Sequence, residues 1–325
     1  TQLTEVQAVF DDIQAAWRWA VSNKYRDEIH AFSRSLLNYY NLDGWFRAGY
    51  GAVDQYQQAR LCFEEEPSEP HTVATLIAIY ESLGNLHEYY REYAQALANY
   101  QFALDFTSST NIVGRAHFHR KMGVVRMQTH QHPAALEAYD QAEALLESGQ
   151  ERLSDWWFEQ IELQIARLDL YYWDNRRDDL LTLEAQFRSQ FEQHSLLIQR
   201  PRCFRILAAI ALRRDRYLHS LDAIKFSGEA LALNQKLGAV NAIAENEFNY
   251  GVSLLWDNQF DEAEKHMLIA QEMSQQNGDL TLLARVLTYL TSLYRKVGDI
   301  DHVRLYAAES LKIAQEVQMP QYVGA

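Results

Sequence analysis

Glycine and proline are scarce in this chain, 13 and 5 residues of 325. That is less than half of their ordinary combined share of about 12%, which disfavours strand-and-turn folds and disordered linkers. The two cysteines, Cys62 and Cys203, stand alone without a CxxC or a Cys/His spacing, so neither a disulfide framework nor a zinc module is indicated, and reduced thiols in a cytoplasmic protein are expected. Positive charge is in deficit as well. Thirty Lys and Arg stand against 44 Asp and Glu, a net charge of −14, the wrong sign for a nucleic-acid sheath or an anionic membrane surface. The longest apolar run, Ile206 to Leu212, is far short of the roughly 20 residues that a membrane span needs. The first residues, TQLTEVQAVFDD, lack the layout of a signal peptide, and no initiator Met stands at position 1, which fits a processed or excised chain.

Catalytic signatures are missing too. No GxxxxGK[ST], GxGxxG, HExxH or GxSxG occurs, so no glycine-rich turn cradles a phosphate chain and no enzyme activity or cofactor is expected. The acidic runs Asp11-Asp12, Glu64-Glu65-Glu66 and Asp178-Asp179 are adjacent in sequence, so on a helix they diverge and read as solvated faces. A metal site could be drawn from His117, His119, His130 and His132. Residues i and i+2 do not share a helix face, however, and packing or turn chemistry is the preferred reading. The tryptophans 17, 19, 45, 156, 157, 173 and 256 read mainly as packing residues at apolar spacing, with one of the pair Trp156-Trp157 turned outward.

What the chain does have is leucine and alanine, 40 and 38 residues, a helix-forming composition. It also has a repeat. From Gly84, Tyr93 lies nine residues on, Ala96 twelve, Tyr100 sixteen and Ala103 nineteen; from Gly123 the same offsets give His132, Ala135, Tyr139 and Ala142. From Gly251 they give Phe260, Ala263, Met267 and Ala270, and from Thr291 Ile300, Val303, Ala307 and Ser310. Weaker copies start at Leu37, Leu168 and Ala208, the last with a slip of about three residues before Ala230. A small anchor lets two antiparallel helices approach, the +9 residue plugs their turn, and +12, +16 and +19 share one helical face. The seven anchors lie roughly 39 to 47 residues apart, where the usual tetratricopeptide unit has 34.

On these residues the chain resembles the tetratricopeptide-repeat superfamily over about residues 25 to 318, in a long-repeat form. The resemblance implies an all-α, right-handed α-solenoid of about seven helix pairs. Residues 1–24 are expected to form an N-terminal helix leading into an array over 25–325. A narrower likeness lies in DDIQAAWRWAVSN (Asp11 to Asn23) and EIHAFSRSLLNYYNLDGWFRAG (Glu28 to Gly49). These stretches are similar to the point where bacterial STAND or NB-ARC-like signalling ATPases, including maltose-regulator-like activators, pass into their repeat sensors. Trp17 stands where that family usually has Leu, and no nucleotide-binding domain is present in the sequence.

In such an array the first helix of each pair lines the concave side. Counting from the anchors places there His117 and Arg120; Glu162, Ile165, Asp169 and Tyr172; Arg202, Arg205, Ala209 and Leu212; Glu245, Phe248 and Leu255; and Arg285, Thr288, Ser292 and Arg295. Five arginines gather on this surface. They either pair with Glu162, Asp169 and Glu245 across neighbouring repeats, or they form a polar groove for an anionic ligand, since the guanidinium fork suits carboxylate or phosphate. In the second reading Phe248 and Leu255 form an apolar floor and Glu245 and Thr288 restrict orientation. The expected function is a non-catalytic sensing domain of a signalling or transcription-regulating protein. It binds a peptide, protein or small anionic molecule, with an adjacent ATPase domain outside the chain as the output and without direct contact to nucleic acid or membrane. The alternative is a constitutive protein-interaction scaffold.

Overall fold

The computed structural model describes residue 5 and residues 9–43, 51–63, 69–149 and 151–317. All regular structure among the described residues is α-helical: α1 (Phe10–Ser22), α2 (Arg26–Asp43), α3 (Ala52–Leu61), α4 (Pro70–Tyr89), α5 (Tyr93–Phe106), α6 (Ile112–Gln128), α7 (His132–Ser148), α8 (Ser154–Trp173), α9 (Arg177–His194), α10 (Arg200–Arg214), α11 (Leu221–Leu237), α12 (Val240–Trp256), α13 (Phe260–Asn277), α14 (Leu280–Val297) and α15 (Ile300–Glu316). The chain divides into two compact units at Gln199/Arg200.

In the first unit α1 lies against α2 and α3, and these pack onto α4. Three regular antiparallel pairs follow, α4/α5, α6/α7 and α8/α9. The second unit holds three more, α10/α11, α12/α13 and α14/α15. Every anchor lies on a first helix. The +9 residues Tyr93, His132, Arg177, Phe260 and Ile300 each open a second helix. At the slipped copy, α11 begins at Leu221, after a longer turn in which Arg216, Tyr217 and His219 all take positive φ. In the copy starting at Leu37, Phe46 and Gly49 lie outside the described residues, as do Trp45 and Glu64-Glu65-Glu66.

The offsets have a direct packing cause. A Cβ on Gly84 would come within 2.6 Å of Tyr100 Cδ1, and one on Gly123 within 2.6 Å of Tyr139 Cδ1. A Cβ on Gly251 would meet Met267 Cγ at 2.9 Å and the Ala263 carbonyl at 3.1 Å. The large +16 side chain therefore lies directly on the bare backbone of the anchor. Ala96, Ala103, Ala135, Ala142, Ala263 and Ala270 are completely buried where the helices cross. Close-packed interiors of this kind register a change of even one methylene.

The turn between the two helices carries a second regularity. Arg91, His130, Asn175 and Asn258 all have φ near +60°, and Gly298 takes the same slot at +84°. Each lies seven residues after its anchor. A left-handed residue there ends the first helix and redirects the chain into the second.

Candidate functional site

The first-helix face of the first unit is a buried ion network. On α6, His117 Nε2 lies 3.0 Å from Glu81 Oε1 of α4, and its Nδ1 lies 3.1 Å from Glu159 Oε2 of α8. One turn on, Arg120 donates from Nε to Glu159 Oε1 at 2.5 Å and from Nη2 to Glu159 Oε2 at 3.0 Å. Three successive first helices are thus tied together. Burial opposes the charge on Glu159, but Arg120 and His117 outweigh it and hold the carboxyl down to about 2. Burial likewise opposes protonation of His117, and the Glu81 and Glu159 carboxylates overcome it, raising the imidazole above its ordinary value. Glu162 is buried and accepts from Gln199 Nε2 at 3.1 Å, and the same nitrogen donates to the Phe158 carbonyl at 2.9 Å.

The expected groove residues of this unit divide accordingly. Arg120 is brought against a carboxylate, but against Glu159, nine residues before the Leu168 anchor and outside the positions counted from it, with Glu162 as a further charge nearby. Ile165 is completely buried. Asp169 and Tyr172 are half-buried on α8, with the Tyr172 ring edge-on to Trp173 at 5.4 Å. His119, His130 and His132 do not join His117: His132, in its +9 slot, lies 2.7 Å from Asp174 of the following turn. Among the described residues no cluster of three or more His, Cys, Asp or Glu is arranged to hold a metal. Trp17 and Trp156 are buried, Trp157 stacks on His194 at 3.5 Å, and Trp19 and Trp173 are exposed.

The second unit differs. Glu245 on α12 lies 3.4 Å from Arg285 Nη1 on α14, and both side chains reach solvent. Burial would raise the Glu245 carboxyl, yet Arg285, Arg205 and Arg202 together hold it below the usual carboxylate range. Asp279, the N-cap of α14, accepts from the Leu282 amide at 2.9 Å, and burial together with the Glu245 charge pushes its carboxyl upward. Three guanidiniums from two first helices, α10 and α14, therefore act on one carboxylate of α12. Arg285 Cζ lies 4.8 Å from the Phe248 ring centroid, a cation–π contact over a buried ring.

The remaining expected residues lie elsewhere. Leu255 is completely buried in the core with Val252, Ala263 and Met267, so it presents no surface. The Thr288 hydroxyl donates to the Ala284 carbonyl at 2.8 Å and lies 2.7 Å from Ser310 Oγ on α15, facing its own pair. Arg295 is exposed at the end of α14 and makes no ion pair with a described residue. The partner Glu81 lies at −3 from Gly84, an anchor from which no groove positions were counted, and Glu159 was missed because the register was counted only at −6, −3, +1 and +4. Glu159 sits at −9, one turn earlier on the same stripe, and that spacing could have found it.

No protein-family model and no curated protein matches the sequence. Among solved structures, the chain is similar to a Rap protein complexed with Competence and Sporulation Factor, at 16% identity and TM-score 0.65, over 94% of this chain and 79% of that one. It is similar to the Rap conjugation gene regulator of plasmid pLS20 in complex with the Phr* peptide, at 15% identity and TM-score 0.56, over 94% and 95%. A third likeness is to a STAND signal-transduction ATPase with a tetratricopeptide-repeat sensor from Pyrococcus horikoshii, at 10% identity and TM-score 0.60. It covers 96% of this chain and about half (48%) of that protein. The fold is that of the tetratricopeptide-type helical repeats, an all-α array of helix pairs. No helix among the described residues is long and apolar enough to cross a membrane.

Proposed function

We propose that this chain is a non-catalytic, partner-sensing repeat domain of a regulatory protein, and that the first-helix face of α10, α12 and α14 binds a peptide or an acidic group of a protein. The carrying observation is a convergence of cations in a chain of net charge −14: Arg202, Arg205 and Arg285 all act on Glu245, and Arg285 lies over the Phe248 ring 3.4 Å from that carboxylate. At long range that net charge repels anions, so the arginines act within about one Debye length, 8–10 Å. Fold-sharing proteins, one solved with Competence and Sporulation Factor, one with the Phr* peptide and one a STAND ATPase with a tetratricopeptide-repeat sensor, support a regulatory reading with the output in a neighbouring ATPase domain. For such a switch the partner must favour one state of the output domain over the other, since equal affinity shifts nothing.

The test is selection of a random peptide display library on the immobilised chain, followed by Arg205→Ala and Arg285→Ala. A charge-assisted contact in a partly dried site is worth roughly 1.5–3 kcal/mol, so each variant should bind the selected peptide about ten- to a hundredfold more weakly with an unchanged melting temperature. Failure to select any binder, or selected peptides indifferent to both substitutions, would refute the assignment.

A further inference from the structure

Within this face the donors of Arg285 are sparsely engaged. Its guanidinium rests over Phe248, and Phe248 is buried and edge-on to Tyr289 at 5.3 Å, so the core fixes the position of the cation. Among the described residues its one hydrogen bond runs from Nη1 to Glu245 Oε1 at 3.4 Å. A guanidinium carries five N–H donors in a planar fork, so most of this one's capacity is unused. Arginine–carboxylate pairs elsewhere in the chain close more tightly: Arg120–Glu159 at 2.5 Å, Arg167–Asp140 at 2.6 Å, Arg188–Glu184 at 2.7 Å and Arg214–Asp222 at 2.8 Å. The Glu245 side chain is 45% exposed and that of Arg285 28%. A long, single, water-facing contact of this kind holds weakly.

We infer that Glu245 is a resident stand-in anion: it loosely occupies Arg285 in the free chain, and a carboxylate of an incoming peptide displaces it and takes the guanidinium with both oxygens. This rests on the reading of the α10–α12–α14 face as the binding surface, and it assigns the anchor and the ligand chemistry within it. The planar two-oxygen group matches the fork that Arg285 leaves open. Arg285 itself carries one positive charge, which a carboxylate neutralises and a phosphate dianion overshoots. Glu245 thereby sets a threshold. Ligands lacking a carboxylate have nothing to exchange for it.

The experiment uses the full chain with ¹⁵N-labelled arginine. The Arg285 Nε–Hε resonance is assigned by its loss in Arg285→Lys. Sodium acetate is titrated at ionic strength held constant with sodium chloride, and inorganic phosphate is titrated in parallel. The expected result is a saturable shift of that resonance by acetate, weaker binding of phosphate, and acetate binding about three- to tenfold tighter in Glu245→Gln, where the competing anion is gone. No saturable shift in either protein, or acetate binding no tighter in Glu245→Gln, overturns the stand-in. Phosphate binding as tightly as acetate overturns the carboxylate assignment. A peptide that binds wild type, Arg285→Lys and Glu245→Gln equally leaves the binding face standing and removes Arg285 as its anchor. Saturable acetate binding without any peptide binder supports the anchor and refutes the wider function.

Discussion

Tyr100 and Tyr139 occupy the same slot, sixteen residues after Gly84 and Gly123. Both are completely buried and both rings lie on the bare anchor of their own pair. Their hydroxyls meet opposite fates. Tyr100 Oη lies 2.7 Å from Asn85 Oδ1 and 2.7 Å from Glu88 Oε2. Register replaces those partners with Val124 and Met127 in the next pair, and Tyr139 Oη has no hydrogen-bond partner among the described residues. Burial raises both phenols, so both are neutral donors at pH 7. Tyr100→Phe forfeits a bond to a charged acceptor, about 1.5–3 kcal/mol. Tyr139→Phe removes a desolvated hydroxyl that gains nothing in the fold, so stability should rise by about 1 kcal/mol.

The two chemically identical substitutions should therefore differ by about 3 kcal/mol, with opposite signs. Repeat arrays open in pieces, so the suitable readout is hydrogen exchange of the α4–α7 amides, with urea unfolding as the global check. If Tyr139→Phe destabilises α6/α7 as much as Tyr100→Phe destabilises α4/α5, then Tyr139 Oη is satisfied in solution and the reasoning from register fails.

Two further outcomes are expected. Ala263→Arg should cost about 4 kcal/mol or more, by overpacking a completely buried helix crossing and burying an unpaired charge, with faster exchange centred on α12, α13 and α14; an unchanged melting temperature would break the register. The Glu159 carboxyl, held at about 2 against an ordinary 4.5, contributes about 3 kcal/mol that is present above pH 4.5 and lost as pH falls through 2. Glu159→Gln should accordingly lose about that much stability at pH 7 and little at pH 2, and equal losses in urea unfolding at both values would contradict the network.

The fold was legible because its determinant is local and repeated. A glycine that must touch a tyrosine or methionine sixteen residues later leaves the same mark at Gly84, Gly123 and Gly251. The candidate site was legible only in part. Counting from the anchor placed Arg120, Glu245 and Arg285 on one stripe, because a helix repeats its faces every 3.6 residues. It gave no account of which carboxylate an arginine meets across a repeat boundary. That depends on how far one first helix slides past the next, and Arg120 meets Glu159 at −9, outside the positions counted from Leu168. Depth was equally hidden. Leu255 and Arg295 fall on the counted stripe, yet one is completely buried and the other exposed.

The same stripe is used in two ways. On α4, α6 and α8 its charges lie 2.5 to 3.1 Å apart, and Arg120 and Glu159 are less than a tenth exposed. Removing one partner there strands a buried charge, which makes the network a structural tie between repeats and a poor place for a ligand to enter. On α12 and α14 the one direct pair is long and wet, and its cation is already positioned by an aromatic ring. Binding there costs little existing structure, because the contact to be broken is worth little and the anchoring side chain needs no further ordering. The proposed receptor face needs both properties, and among the described residues of this face they coincide at Arg285.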